Sequence, residues 1–173
     1  MSALKVAFNL AVVLSAASLS CSAAAQAPAQ TREGAVRFLS LFAAQHKLPI
    51  ALSTSFDKLD VNTRLRMPVP SVTWTEATPF NPEKSCRVDL IQSDGKMARI
   101  DWSKSQVYFH SRSSWSDAML ASDFGPMIKP MIEVRRGSYS YVIWPATEED
   151  GARLFRAMHF MVKNCDPTAG TGF

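Results

Sequence analysis

The sequence predicts an α+β domain in which a mainly antiparallel, curved sheet of about five or six strands carries one helix from each end of the chain. Three observations lead to this prediction. Apolar residues recur at helical spacing close to both ends of the mature chain. Between them, short runs of alternating apolar and polar residues are separated by turn-forming residues. Finally, one cysteine precedes the first clear strand and another ends the last helix, so a disulfide can join the two.

The N-terminus has the form of a cleaved signal peptide that covers residues 1–25. A short start with one lysine precedes an apolar run over residues 6–19, which is too short to span a membrane stably. Ala23-Ala24-Ala25 then offers the small residues that precede a cleavage site. We therefore expect residues 26–173 to form a single globular exported domain. We expect it to be periplasmic or secreted and not an integral membrane protein.

Cys21 raises an alternative, in which the mature chain is a lipoprotein anchored through this cysteine. The preceding Ser18-Leu19-Ser20 matches a lipoprotein signal poorly, because the leucine stands one position too late. Cleavage after Ala25 is therefore the favoured prediction. It leaves two cysteines, Cys86 and Cys165, in the mature chain.

The first predicted helix runs from Thr31 to His46. Leu48-Pro49 ends it, because a residue before proline avoids helical geometry. Its polar face is mixed in charge, so we expect it to pack on the core and not on a membrane surface. The central residues of its apolar face are Ala35, Phe38, Leu39 and Phe42.

Residues 49–84 are the least regular part of the sequence, because five prolines interrupt them. Two short extended pieces are predicted, at residues 63–67 and 71–76. The neighbouring prolines favour edge strands or a covering loop. We expect an ordered, irregular wrap that belongs to the same domain.

Three alternating runs follow Cys86, at Arg87–Gln92, Met97–Trp102 and Gln106–His110. Asp94-Gly95 supplies a tight turn between the first two. The pattern predicts an antiparallel meander whose inner face is apolar and whose outer face is exposed to water.

A short helix is predicted within Ser111–Phe124, closed by Gly125-Pro126. Met131–Arg136 and Ser138–Trp144 then alternate on either side of a turn at Arg136-Gly137, which predicts a second hairpin. A curved sheet closed by the last helix is similar in shape to pleckstrin-homology-like barrels. The likeness is one of shape alone, and no motif extends it.

The last helix is predicted between Thr147 and Pro167. Thr147 can cap it, three acidic residues fill its first turn, and Pro167 forbids continuation. Gly151 should weaken it by about 1 kcal/mol relative to alanine. Two cysteines in an exported chain favour a Cys86–Cys165 disulfide that would fasten this helix to the sheet. The apolar stripe of the helix consists of Leu154, Phe155, Met158, Met161, Val162 and Cys165.

A group of polar residues on the outward face of the predicted sheet is the candidate binding site. Alternation along the strands places them on one side, where an acid, a histidine and arginines could bind an anionic or sugar ligand. The same residues could position His110 as a general base beside Asp101 or Glu133. The alternative is a solvated face with cross-strand ion pairs and no ligand. The six candidates are Arg99, Asp101, Tyr108, His110, Glu133 and Arg135.

Several functional classes receive no support from the sequence. The net charge of +4 is mild, and the arginines come in separated pairs, so a nucleic-acid partner is not expected. The three histidines have no metal-ligand spacing, and we expect neither a metal nor a cofactor.

Two functional hypotheses follow. The first is a non-catalytic binding or interaction protein of the cell envelope, which uses the polar sheet face or the irregular residues 49–84 to hold an envelope partner or a small ligand. The second is a small hydrolase-type enzyme centred on His110 with Asp101 or Glu133. The first is favoured, because no nucleophile and base stand at a recognised spacing.

Overall fold

A computed structural model of the chain describes residues 30–165, apart from residues 55, 61–62, 65, 82–85 and 124. The predicted signal peptide, its cleavage site, Cys21 and Pro167 lie outside the described residues. The described part contains three α-helices and seven strands. In chain order these are α1 (Arg32–His46), β1 (Leu48–Ser53), β2 (Thr73–Pro79), β3 (Arg87–Gln92), β4 (Met97–Asp101), β5 (Gln106–His110), α2 (Asp117–Leu120), β6 (Met131–Arg136), β7 (Tyr139–Ile143) and α3 (Glu148–Cys165).

The seven strands form one antiparallel sheet in the order β4-β3-β2-β1-β7-β6-β5. The α+β class is therefore confirmed, with seven strands where five or six were expected. Both predicted hairpin turns are present, and each turns on a glycine with positive φ, Gly95 at 80° and Gly137 at 56°. Such angles cost glycine little, because it has no Cβ.

Strand β1 lies between β2 and β7, and these two strands pair with different stretches of it. Leu48 and Pro49 pair with β2, whereas the residues from Ile50 onward pair with β7. Pro49 has no N–H to donate, and it stands where the strand changes partner. Its carbonyl still accepts from the Trp144 amide at 3.0 Å, and the Ile50 amide donates to the Val72 carbonyl at 3.0 Å. The proline that hid this strand in the sequence is thus accommodated inside the sheet.

Three sequence predictions about strand placement need correction. The extended piece at residues 71–76 becomes β2, which is an interior strand and not an edge strand. Residues 63 and 64 are helical, so the piece at residues 63–67 is not a strand. β5 pairs with β6 and not with β4, so the expected three-stranded meander ends after two strands. Alternation reveals which side chains face inward, but it does not reveal which strand lies next to which.

The main core lies between one face of the sheet and the two long helices. α1 packs on β2, α3 packs on β5 and on the turn between β4 and β5, and the two helices contact each other. α3 comes so close that a Cβ on Gly151 would lie 2.5 Å from the Phe109 ring. The largest fully buried side chains of this core are Leu39, Leu48, Ile50, Trp74, Leu90, Ile100, Trp102, Ile132, Ile143, Leu154 and Met158.

Capping residues begin both long helices, and the cap predicted at Thr147 is present. Thr31 caps α1 by accepting a hydrogen bond from the Gly34 amide at 3.0 Å, and Thr147 accepts one from the Asp150 amide at 3.1 Å. The Cys86–Cys165 disulfide is present and joins the start of β3 to the end of α3 across 79 positions of sequence. Within the described residues, every helix is too short or too polar to cross a membrane.

A second, smaller core lies apart from the main one. It consists of Phe56, Met131, Val142 and Trp144, and Leu59 and Met67 pack against it. The irregular segment between β1 and β2 therefore does act as a cover. It brings charged and apolar side chains beside β6 and the end of β7, which is where the candidate site lies.

Candidate functional site

The six predicted binding residues fall into two separate groups. Tyr108, His110, Glu133 and Arg135 lie on the paired strands β5 and β6. Arg99 and Asp101 lie on β4, at the other end of the strand order. All six residues were expected to lie close together, because β5 was predicted to pair with β4. In the sheet, β5 pairs with β6 at the edge opposite β4.

Arg99 and Asp101 are engaged with neighbours on β3 and in the next turn. Arg99 binds Asp89 through two nitrogens, at 2.7 and 3.0 Å, and its guanidinium lies 3.6 Å from the Phe80 ring centroid. Asp101 is buried, and it accepts hydrogen bonds from Ser103 at 2.6 Å and Arg87 at 3.2 Å. Burial raises the pKa of Asp101, but the Ser103 hydrogen bond and the Arg87 charge outweigh it and leave that pKa lowered. These are cross-strand and turn contacts of ordinary kind.

The other group forms a compact unit that we call the buried ion cluster: His110, Glu133, Arg135 and Ser140. The Glu133 side chain is 1% exposed, and it accepts hydrogen bonds from Ser140 at 2.7 Å and from Arg135 Nε at 3.2 Å. His110 Nε2 lies 3.5 Å from Glu133 Oε2. Tyr108 completes the surroundings, with its ring centroid 4.9 Å from the Arg135 guanidinium.

Electrostatics keep Glu133 ionised in this cluster. Burial raises the pKa of the carboxyl group, since a charged group loses hydration there. Contacts with His110, Ser140 and Arg135 outweigh burial and lower the pKa from 4.5 to about 2. Glu133 is therefore a carboxylate at neutral pH, and its charge is matched by its own neighbours. The expected solvated face does not describe this residue.

The cluster is poorly arranged for hydrolysis. A general base must reach the proton that it removes, directly or through one water. The Nε2 atom of His110 faces Glu133, is buried, and makes no hydrogen bond within the described residues. The hydroxyl of Ser140 donates to Glu133 and not to the histidine. Within the described residues, therefore, no hydroxyl or thiol is hydrogen-bonded to His110 as a nucleophile would be.

A different surface has the form of a binding site. Two cavities of about 340 and 390 Å³ share Val69, Lys129 and Trp144, and we call the surface that they form the basic cleft. Volumes of this size fall within the range of small-ligand pockets. No Asp or Glu is among the described residues that line either cavity. The basic residues of the lining are His46, Lys47, Arg64, Arg66 and Lys129.

The irregular segment and the loop before β6 hold the two walls of the basic cleft. Arg64 is fixed in place, because its Nε donates to the Leu59 carbonyl at 2.8 Å and its guanidinium lies 5.0 Å from the Phe56 ring centroid. Lys129 comes from the facing loop, is exposed, and has no ion-pair partner in the described part of the chain. The floor between them is apolar and includes Met67, Met131 and Trp144.

Lys47 adds an unusual backbone to the basic cleft. Its φ of 46° and ψ of 59° are left-handed, and it is the one non-glycine residue with positive φ in the described ranges. Its amide closes α1 by donating to the Ala43 carbonyl at 2.8 Å. Glycine is the usual residue at this helix end, since a side chain there costs about 1–2 kcal/mol. A lysine kept in a strained conformation beside a cavity is a feature that functional sites often share.

A third cavity, about 540 Å³, is a groove between α1 and α3. Arg153 of this groove already stacks on the helix core, with its guanidinium 5.3 Å from the Phe42 ring centroid. Phe160, which is polar-facing in the helical pattern, lines the groove and packs against the main core. The groove is chiefly the seam of helix packing.

The three histidines do not converge. His46 stacks on Phe42 with ring centroids 4.1 Å apart, and His159 meets the edge of the Phe155 ring at 5.4 Å. His110 belongs to the buried ion cluster. Across the described residues no three His, Cys, Asp or Glu side chains lie together as metal ligands would.

In the sequence, part of the basic cleft is recognisable only as the irregular residues 49–84. The sequence contains the Arg64/Arg66 pair and Lys129 beside Pro130, but no helical or strand periodicity relates these residues to each other. The cleft joins residues far apart in sequence, so pattern alone could not assemble it. Comparison of the chain with protein-family models, with curated proteins and with solved structures gives no match.

Proposed function

We propose that this chain is a small exported, non-catalytic binding domain of the cell envelope, and that it holds an anionic ligand in the basic cleft. The observation that carries the proposal is the lining of the cleft. Five basic side chains surround an apolar floor, and no carboxylate is among the described lining residues. A concave surface of one charge sign concentrates ligands of the opposite sign.

The surroundings of the basic cleft support binding without catalysis. The acid and histidine that could have formed a catalytic pair face each other on the paired strands β5 and β6, 3.5 Å apart, and Glu133 is buried. Among the described residues of the lining there is no cysteine, serine or threonine that could act as a nucleophile. The lysines and arginines of the lining suit recognition of a phosphate or carboxylate group.

Export is part of the same proposal. A disulfide is favoured in oxidising compartments, and the Cys86–Cys165 bridge accords with a periplasmic or secreted protein. The alternative, an anchor through Cys21, would place the same domain in the same compartment.

Isothermal titration with inorganic pyrophosphate and polyphosphate tests the proposal. We expect saturable, salt-sensitive binding that Lys129→Met weakens about ten-fold, because one charge-assisted contact is lost. Lys104→Met is the matched control, since Lys104 is an exposed lysine outside the three cavities. Equal weakening by the two variants would mean that the anion responds to net charge and not to the basic cleft.

A further inference from the structure

Two exposed apolar side chains stand on the basic cleft. Within the described ranges seven large apolar or aromatic side chains are exposed, and Val69 (37% exposed) and Met127 (45% exposed) line this cleft. The other five line none of the three cavities: Leu41, Leu52, Phe80, Met97 and Tyr108. The cleft therefore differs from the rest of the surface in apolar exposure as well as in charge.

The loops that carry this pair are restrained by proline. Val69 stands between Pro68 and Pro70, and Met127 follows Pro126. A proline ring fixes its own φ and restricts the residue before it, so these loops have fewer alternative conformations in which to hide the side chains. Val69 and Met127 are therefore held on the cleft by conformationally restricted segments.

Cations lie around the same pair. Lys47, Arg66 and Lys129 are exposed, and Lys129 lies in both cavities together with Val69. A free polyanion would use the cations and leave the apolar pair in water. A neutral apolar partner would cover the pair and also bury Lys129, which has no ion-pair partner in the described part of the chain, and burial of such a charge is costly.

A partner for this surface should offer both negative charge for the cations and an apolar phase for Val69 and Met127. We propose that the basic cleft docks the protein on an anionic phospholipid bilayer, with Lys47, Arg66 and Lys129 at lipid phosphates and with Val69 and Met127 in the boundary between headgroups and acyl chains. This inference rests on the proposed function and names the source of the anion. Apolar side chains flanked by basic ones are the usual device of reversible interfacial binding.

Co-sedimentation with vesicles tests the inference. We expect binding to phosphatidylcholine vesicles that contain phosphatidylglycerol and little binding to phosphatidylcholine alone. Lys129→Met should lower the partition coefficient about five-fold, since each basic residue near an anionic surface contributes about that factor. Met127→Gln should lower it about ten-fold through lost apolar burial. Met97→Gln is the matched control, because Met97 is 69% exposed on β4 and lines none of the three cavities.

The outcomes separate this inference from the proposed function. Pyrophosphate binding that depends on Lys129 together with no binding to either vesicle would overturn the lipid docking and leave the anion site standing. Equal losses of vesicle binding in Met127→Gln and Met97→Gln would also overturn the lipid docking. So would vesicle binding that is unchanged in both Lys129→Met and Met127→Gln. Absence of both pyrophosphate and vesicle binding would remove both proposals. Unchanged circular dichroism and melting temperature of the variants would show that folding is not the cause.

Discussion

The buried ion cluster and the basic cleft are neighbours that use charge in opposite ways. In the cluster, the Glu133 carboxylate meets a histidine, an arginine and a serine, and it is nearly excluded from water. In the cleft, several cations face a cavity with no carboxylate among the described lining residues. Met131 joins the two regions, because it pairs with His110 and lines the cleft.

This contrast indicates which charges serve the fold and which serve binding. Charge that is matched by its own neighbours contributes to architecture, and its removal should alter stability. Charge that faces a cavity with no carboxylate among its described lining residues contributes to recognition, and its removal should alter affinity. The strained lysine lies on the second region and not on the first. Substitutions in the two regions should therefore separate stability from affinity.

Glu133→Gln should have the largest effect, a loss of about 3 kcal/mol in the free energy of unfolding. The change removes the buried carboxylate, so Arg135 and His110 lose the negative charge that faces them. Urea denaturation followed by circular dichroism measures it. Glu76→Gln, a change at an exposed glutamate of β2, is the control and should stay within about 0.5 kcal/mol. A loss under about 1 kcal/mol for Glu133→Gln would mean that the cluster does not support the fold.

Acid should remove the same stabilisation in the wild-type protein. The pKa of Glu133 is lower in the folded state, about 2, than its ordinary value of 4.5. Ionised Glu133 therefore stabilises the fold fully above pH 4.5, and this contribution is lost as the pH falls from 4.5 toward 2. The difference in unfolding free energy between wild type and Glu133→Gln should shrink by up to about 3 kcal/mol over this range. A difference that stays constant with pH would contradict the assignment.

Gly151→Ala tests how the strand of the cluster is held. Alanine is the better helix former by about 1 kcal/mol, yet its Cβ would lie 2.5 Å from the Phe109 ring on β5. We expect a net loss of about 1–2 kcal/mol, because the ring must move within a packed core. Gly34→Ala in α1 is the comparison, since there the nearest atom is a hydroxyl oxygen at 3.0 Å. If Gly151→Ala is at least as stable as wild type, the close packing of α3 on β5 is wrong.

Lys47→Gly should have the smallest effect on stability and the opposite sign. Relief of the left-handed strain should stabilise the protein by about 1 kcal/mol, whereas loss of the lysine should weaken pyrophosphate binding about five-fold. Thermal melting and titration calorimetry on one preparation measure the two changes. A variant that gains stability and keeps full affinity would show that Lys47 caps the helix and does not serve the cleft.

Much of the fold was predictable because its signals are local. Caps at Thr31 and Thr147, glycine turns and alternating strands each depend on a few adjacent residues, and all are present. The disulfide was predictable from the expected export of the chain and from the cysteine count. These features need no knowledge of which strand neighbours which.

The remaining features depend on contacts between distant residues. Strand β1 could not be recognised in the sequence, because it contains Pro49. A proline is accepted there since Pro49 lies where the pairing of β1 passes from β2 to β7. The place of β5 at the far edge separated Arg99 and Asp101 from the other four site candidates. Alternation alone places Glu133 on the outer face. In the structure Glu133 is buried, and Ser140 of the neighbouring strand β7 donates a hydrogen bond to it. The basic cleft needs two loops that share no period.

The most direct test of the account compares the two regions in one experiment, by titrating pyrophosphate into His110→Ala and Lys129→Met beside the wild type. The account predicts unchanged affinity for His110→Ala, which disturbs only the matched charges, and a loss of about ten-fold for Lys129→Met. A loss of affinity in His110→Ala with normal binding by Lys129→Met would place recognition on the sheet face and contradict the account.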